Sequence, residues 1–195
     1  FMARPKAFDP DQALQRAMEV FWAKGFDNTS MQDLVGAMGI NRGSLYDTFG
    51  DKHSLYLASL DRYLQQHSVR LTAKECCPQS SAKDIIGALF NNVIDRCGCD
   101  GNDRGCMITN TICELCTRDV AVADRLKQTL LSFEDMLCTV IRRGQEEGNV
   151  AGEKDPRALA RFMVTTIQGM QVMRKVAGNR ESLRQVADQA LDSLG

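Results

Sequence analysis

The stretch Thr29 to Lys52, TSMQDLVGAMGINRGSLYDTFGDK, constrains the fold more than any other part of the chain. It admits two short helices and a tight turn. Thr29, with Gln32 three residues on, offers a capping-box start in which the hydroxyl takes an orphan backbone N–H and the Gln side chain reaches back. Leu34, Val35 and Met38 then form one apolar stripe at helical spacing. Gly39 ends that helix, because a residue without a Cβ enters the left-handed region cheaply, and Asn41 can cap the next. In the second helix Leu45 and Phe49 lie four apart and face inward. Arg42, Gly43, Ser44, Tyr46, Asp47 and Thr48 are left on the outside.

A short helix anchored by two apolar residues and showing hydrogen-bonding groups outward has the geometry of a recognition helix in a DNA major groove. The run GINRGSLYDTFGDKHSLY resembles the signature of TetR-type transcriptional regulators: a glycine turn, a helix carrying a Tyr and a Phe three apart, then a Lys. The motif match covers about the first third of the chain, and beyond it the resemblance is one of architecture. The resemblance implies DNA contacts from Thr29, Ser30 and Gln32, from Arg42, Gly43, Ser44, Tyr46, Asp47 and Thr48, and from Lys52. Arg42 can fork onto guanine and Asp47 can accept from a cytosine amino group. Tyr46, Thr29 and Lys52 suit phosphate, which positions without specifying. The bland alternative is a plain αα-hairpin of a helical bundle.

Charge neither helps nor forbids this reading. The chain has 195 residues and a formal net charge of −1, and residues 1 to 71 hold 8 Lys/Arg against 8 Asp/Glu. Any attraction to DNA is therefore local, from Arg4, Lys6, Arg42, Lys52 and the N–H groups at helix starts. No apolar run approaches the ~20 residues of a membrane span. No secretory leader is read, Met2 looks like the natural start, and a cytoplasmic location is expected.

The remainder reads as helices throughout. Asp9-Pro10 opens the first, with Leu14, Ala17, Met18 and Phe21 inward, and Gly25 closes it. Asp51 to Leu71 makes a fourth helix with Leu55, Leu57, Leu60 and Leu64 inside. Thr72 to Ser81, containing Cys76-Cys77-Pro78, breaks helicity. Lys83 to Arg96, about Met107 to Thr117, Val120 to Glu147, the helix opened by Asp155-Pro156 and ended by Gly178, and one capped by Asn179 complete the chain. The expected fold is all-α with about nine helices: an N-terminal helix-turn-helix domain over residues 1–54 and a ligand-sensing and dimerisation domain over 55–195. The apolar faces Phe162 to Met173 and Leu183 to Leu194 exceed what one short bundle covers, which points to a homodimer.

Eight cysteines stand at 76, 77, 97, 99, 106, 113, 116 and 138. Cys106, Cys113 and Cys116 follow one helical face, with Cys97-x-Cys99 in the glycine-rich loop before it. They are either small core hydrophobes or thiols that meet soft metals, electrophiles or oxidants. Paired C-x-x-C units for zinc are missing and only His53 and His67 are available, so no metal or cofactor is expected. Cys113-x-x-Cys116 lacks the strand that a redox motif needs, which makes an enzyme the distant alternative. A small-molecule pocket is expected among Cys106, Met107, Asn110, Cys113, Phe133, Leu137, Phe162, Thr166 and Met170. The function expected is a DNA-binding regulator released from a palindromic operator by an inducer. A thiol- or soft-metal-responsive version of it is the alternative.

Overall fold

The computed structural model describes residues 8–75, 80–97, 104–177 and 179–195; Arg4, Lys6, Cys76, Cys77, Cys99 and Gly178 lie outside them. Among the described residues the chain is helical without strands: α1 (Pro10–Lys24), α2 (Met31–Met38), α3 (Arg42–Phe49), α4 (Lys52–Glu75), α5 (Ala82–Asp95), α6 (Met107–Leu115), α7 (Val120–Glu146), α8 (Pro156–Ala177) and α9 (Arg180–Asp192). They form two compact units, residues 1–68 and 69–195.

The first unit is built on rings. Asp9 caps α1 by accepting the N–H groups of Asp11 and Gln12, and Pro10 occupies the first turn, where its missing N–H costs nothing. Ala13, Ala17, Met18 and Phe21 are buried; Leu14, expected inward, is half-buried. Tyr56 of α4 receives Phe21 and Phe26 edge-on at 5.0 and 5.1 Å, and Tyr63 receives Trp22 at 5.1 Å. The inward stripe of α4 is thus Leu55, Tyr56, Ser59, Leu60 and Tyr63, all buried. Leu57 and Leu64, expected inside, are half-buried. Each follows a buried residue by one position, and one residue is a turn of ~100° about the helix axis. The helix also runs on to Glu75, so Thr72 to Glu75, expected to break helicity, is helical. Arg62 of α4 grips both oxygens of Asp11 on α1, at 2.6 and 2.8 Å, and donates from Nε to Gln15.

The second unit packs α5, α7, α8 and α9 around an aliphatic core. Ile86, Leu89, Phe90 and Val93 of α5 meet Leu137 and Ile141 of α7, Met163, Ile167 and Met170 of α8, and Leu183, Ala187 and Ala190 of α9. Cys97 and Cys138 are buried in the same cluster, which is the core-hydrophobe role for those two thiols. Gly144 of α7 lets α5 approach: a Cβ there would lie 2.6 Å from that of Ala82 and 2.8 Å from a methyl of Val150. Arg157 at the start of α8 ties to Glu134 and Asp135 of α7. The apolar residues of α8, α9 and the C-terminal turn divide into two sets. Met163, Met170, Leu183 and Leu194 serve the chain's own core, while Phe162, Val172, Met173, Val176 and Val186 stay exposed. No described helix is long and apolar enough to cross a membrane.

Candidate nucleic-acid interface and effector groove

The turn between α2 and α3 is set by local chemistry. The capping box is Ser30 with Asp33, one residue beyond the expected Thr29 with Gln32: the Ser30 hydroxyl accepts the Asp33 N–H at 3.1 Å and the Asp33 carboxylate accepts the Ser30 N–H at 2.9 Å. Thr29 is 1% exposed and its hydroxyl donates to the Gly25 carbonyl, so it belongs to the turn before the helix and not to the surface. Lys24 pairs with Asp33 at 2.6 Å; that ammonium, followed by the Ser30 hydrogen bonds, holds the Asp33 carboxyl well below the usual carboxylate range. Gly39 sits at φ +68, the left-handed cap that lets the chain reverse. Asn41 then accepts the Ser44 N–H at 2.8 Å and starts α3.

On α3 only Leu45 is fully buried. Arg42, Gly43, Tyr46 and Asp47 are exposed, and Ser44 and Thr48 are half-buried on the flanks. Tyr46 is 48% exposed, a large ring left in water on a helix of eight residues. Ser30 and Gln32 are exposed at the start of α2. Lys52, in the first turn of α4, holds its ammonium 4.4 Å from the centre of the Phe26 ring, a contact that aims the stem while the charge keeps an open side. Of the ten residues expected to meet DNA, the structure turns Thr29 inward and leaves the other nine at least partly accessible.

The residues expected to line a pocket are dispersed. Leu137 and Met170 belong to the core, and Met107 is 1% exposed. Cys106 is buried at the N-cap position of α6, Cys113 is exposed on the same helix, and Phe162 points outward at 46% exposure. Asn110 spends its amide on the Arg104 carbonyl and on Lys175, and Thr166 donates to the Phe162 carbonyl one turn back. Phe133 is half-buried against the core. Among the described residues there is a groove of about 480 Å³ bounded by Ile112 and Cys116 from the end of α6, Leu126, Lys127, Leu130, Leu131 and Glu134 of α7, and Arg161, Val164 and Thr165 of α8. Burial, followed by Asp119 and Cys113 nearby, pushes the Cys116 thiol up, away from thiolate. Leu126 and Leu130 continue the face of Leu137 and Ile141, since eleven residues make about three turns, and only Leu131 lies off it, so helical spacing did not separate the groove from the core. No group of three or more His, Cys, Asp or Glu placed to hold a metal occurs among the described residues.

Comparison with known proteins fits this geometry. Residues 13–59 match the model of bacterial regulatory proteins of the tetR family, and residues 82–190 match the tetracyclin repressor-like C-terminal domain. The chain belongs to the TetR family of transcriptional regulators. Among curated relatives, the HTH-type transcriptional repressor ComR of Escherichia coli is 31% identical, with 96% of this chain and 90% of ComR covered. The uncharacterized regulator YezE of Bacillus subtilis is 30% identical over 99% and 100%. Among solved structures, a cysteine-substituted form of the TetR regulator CifR in complex with a 26-base-pair operator duplex superposes with a TM-score of 0.85 at 32% identity, over 99% of this chain and 100% of that one. As a TetR-family regulator the protein acts by binding DNA and not by catalysing a reaction, which removes the thiol-redox enzyme from consideration.

Proposed function

We propose that the protein is a cytoplasmic, homodimeric operator-binding repressor whose body releases DNA when an effector occupies it. The observation that carries this reading is a pair of uncovered surfaces: α3, pinned by Leu45 with Arg42, Tyr46 and Asp47 outward, and α8, with Phe162, Val172, Met173 and Val176 exposed. The first suits a major groove. The second is apolar and wants a twin; α8 and α9 paired about a two-fold axis make a four-helix contact in which each patch covers the other. DNA reading is assigned to residues 1–54 and sensing with dimerisation to 55–195, α4 carrying the change between them. ComR, described as a repressor, and CifR, bound to an operator duplex, support the reading. Two recognition helices on a dimer meet half-sites about 34–36 Å apart or a multiple of it, so the operator is a palindrome. Footprinting of the flanking intergenic DNA, with ultracentrifugation at micromolar protein, tests this. A protected palindrome and a dimer are expected; a monomer that still protects an asymmetric site would overturn it.

A thiol-responsive version has its own support. CifR is described in cysteine-substituted forms and NemR, whose likeness at 17% identity shows the fold alone, in a reduced form. Here Cys106 stands at the start of α6 and Cys113 is open to solvent. The thiols expected on one face differ in exposure, with Cys106 buried, Cys113 exposed and Cys116 between. Operator release by maleimide or peroxide in wild type, lost in Cys106→Ser or Cys113→Ser, is the expected sign; release that ignores both substitutions sinks it.

A further inference from the structure

We propose that the groove between α6, α7 and α8 takes a single-headed amphipathic acid: an apolar chain or ring system ending in one carboxylate, held at its head by Lys127 and Arg161. The inference rests on the effector-released reading and names the chemistry of the effector. The groove has the size of small-molecule sites, about 480 Å³ against the roughly 300–1,000 Å³ such sites occupy. Its walls are mainly apolar, Ile112, Ala123, Leu126, Leu130, Leu131 and Val164, with Thr165 supplying a single hydroxyl, so a sugar or a nucleobase would leave most of its polar groups unpaired there. The charged groups of the lining are two cations, Lys127 and Arg161, against one anion, Glu134, with Lys127 about two turns before Glu134 on the same face of α7.

That anion is already engaged. Glu134 is 12% exposed and receives Arg157 at 3.1 Å and Arg161 at 3.2 Å. Arg161 spends only Nε on it and is 66% exposed, so the outer nitrogens of its guanidinium face solvent and can fork onto a second carboxylate. Lys127 is exposed one residue from Leu126 on α7, and its stem can lie along the apolar wall while its ammonium reaches the rim. An incoming carboxylate therefore completes the charge at the rim, while a cationic head meets two like charges. A neutral head gains the wall without the rim.

Isothermal titration of the full-length protein, without DNA, with decanoate, decanol and decyltrimethylammonium separates these cases. Decanoate is expected to bind with one site per chain, at least tenfold tighter than decanol, with no heat from the ammonium compound. Lys127→Glu is expected to weaken decanoate at least tenfold and to leave decanol within about twofold, and Leu130→Trp, which fills the groove, to abolish both. Equal binding of the three heads, or decanoate binding unmoved by Lys127→Glu, overturns the proposal, as does a lack of decanoate binding at millimolar concentration. Because the titration contains no DNA, such a failure stays separate from failure of the operator-binding reading, which footprinting without any fatty acid decides.

Discussion

The two units solve the problem of holding helices in place with different materials. In the first, Phe21, Phe26 and Tyr56 interlock edge to face and Trp22 does the same with Tyr63, contacts whose energy depends on ring orientation. In the second, the core is mainly aliphatic around Phe90, with Met163, Met170, Cys97 and Cys138 among its members. Methionine is unbranched and fills irregular gaps, so it tolerates displacement of its neighbours. The oriented rings make the first core stiff, although Met18 and Met38 are buried there too, and the second, with Phe90 its one fully buried ring among the described residues, is the more forgiving. A unit that must present α3 to a rigid DNA groove uses the first, and a unit that must shift when something binds it uses the second.

The largest effect is expected where the stiff unit is thinnest. Leu45 is the one residue of α3 that is fully buried, so Leu45→Ala removes the anchor of an eight-residue helix and is expected to cost about 2–5 kcal/mol. The chain has a single tryptophan, Trp22, in this unit, and urea unfolding followed by its fluorescence should move to lower denaturant together with loss of operator binding. A variant that keeps its midpoint would show that α3 is held from elsewhere.

In the forgiving unit the corresponding weak point is a place with no room. Gly144→Ala puts a Cβ within 2.6 Å of the Ala82 Cβ and 2.9 Å of the Asn149 side-chain oxygen, and α7 cannot back away from α5 without opening the core they share. Overpacking of this kind costs about 1–3 kcal/mol. Thermal unfolding followed by helical circular dichroism should shift downward; an unchanged midpoint would mean that even this contact yields, and that the second unit is softer than its packing suggests.

Gly144 also marks where sequence reasoning ran out. Caps, turn glycines and helical periodicity are local, and they located the helices and the α2–α3 turn because Asp9-Pro10, Gly39 and Asn41 act on backbone groups within a few residues. Even there the capping box came out at Ser30 and Asp33, since two overlapping spacings, hydroxyl to amide from Thr29 and hydroxyl to acid from Ser30, compete and only the packing of Thr29 against Gly25 decides. Close approach between α5 and α7 leaves no trace beyond one glycine in a helix. The groove between α6, α7 and α8 was not read from the sequence for a related reason: Phe162 and Thr166 were assigned to a pocket, while Arg161 and Thr165, one position earlier and so ~100° around α8, line this groove. Periodicity shows that a face is apolar, and the neighbour that face meets is a property of the tertiary structure. The exposed set on α8 was legible as a surplus of apolar residues, although which of them served the chain's own core was not.

On the DNA surface the comparison sharpens into two kinds of contact on one rigid helix. Arg42→Ala is expected to cost about 1–3 kcal/mol in operator affinity and to relax discrimination at one base pair. Tyr46→Phe, which removes a single hydroxyl suited to phosphate, should weaken all sequences alike and by less. Binding to a panel of single-base operator variants reads both. If Tyr46→Phe changes the ranking of bases, the assignment of positioning and specifying roles is reversed.

The smallest effect expected is a separation of the two units by acid. Arg62 holds the Asp11 carboxyl below the usual carboxylate range, the Lys24 ammonium and Ser30 do the same for Asp33, and the Ser54 N–H does so for Asp51; all three lie in the first unit. In the second unit Asp84, bonded to Ser81, is held low in the same way. A carboxylate whose pKa is lower in the folded chain contributes stability that is fully present above the unfolded value, about 3.9, and is lost as pH falls through the folded value. These groups are exposed and screened, so each contributes little, but three of the four act on the unit that contains Trp22. On titration from pH 6 to 2, the Trp22 fluorescence change should therefore come at higher pH than the loss of helical dichroism, most of which reports α5 to α9 of the second unit. Arg62→Gln should bring the fluorescence change to still higher pH, because the contact that holds Asp11 ionised is gone. Coincident transitions in wild type, unmoved by that substitution, would mean that the capping carboxylates are spectators and that the two units answer to acid as one.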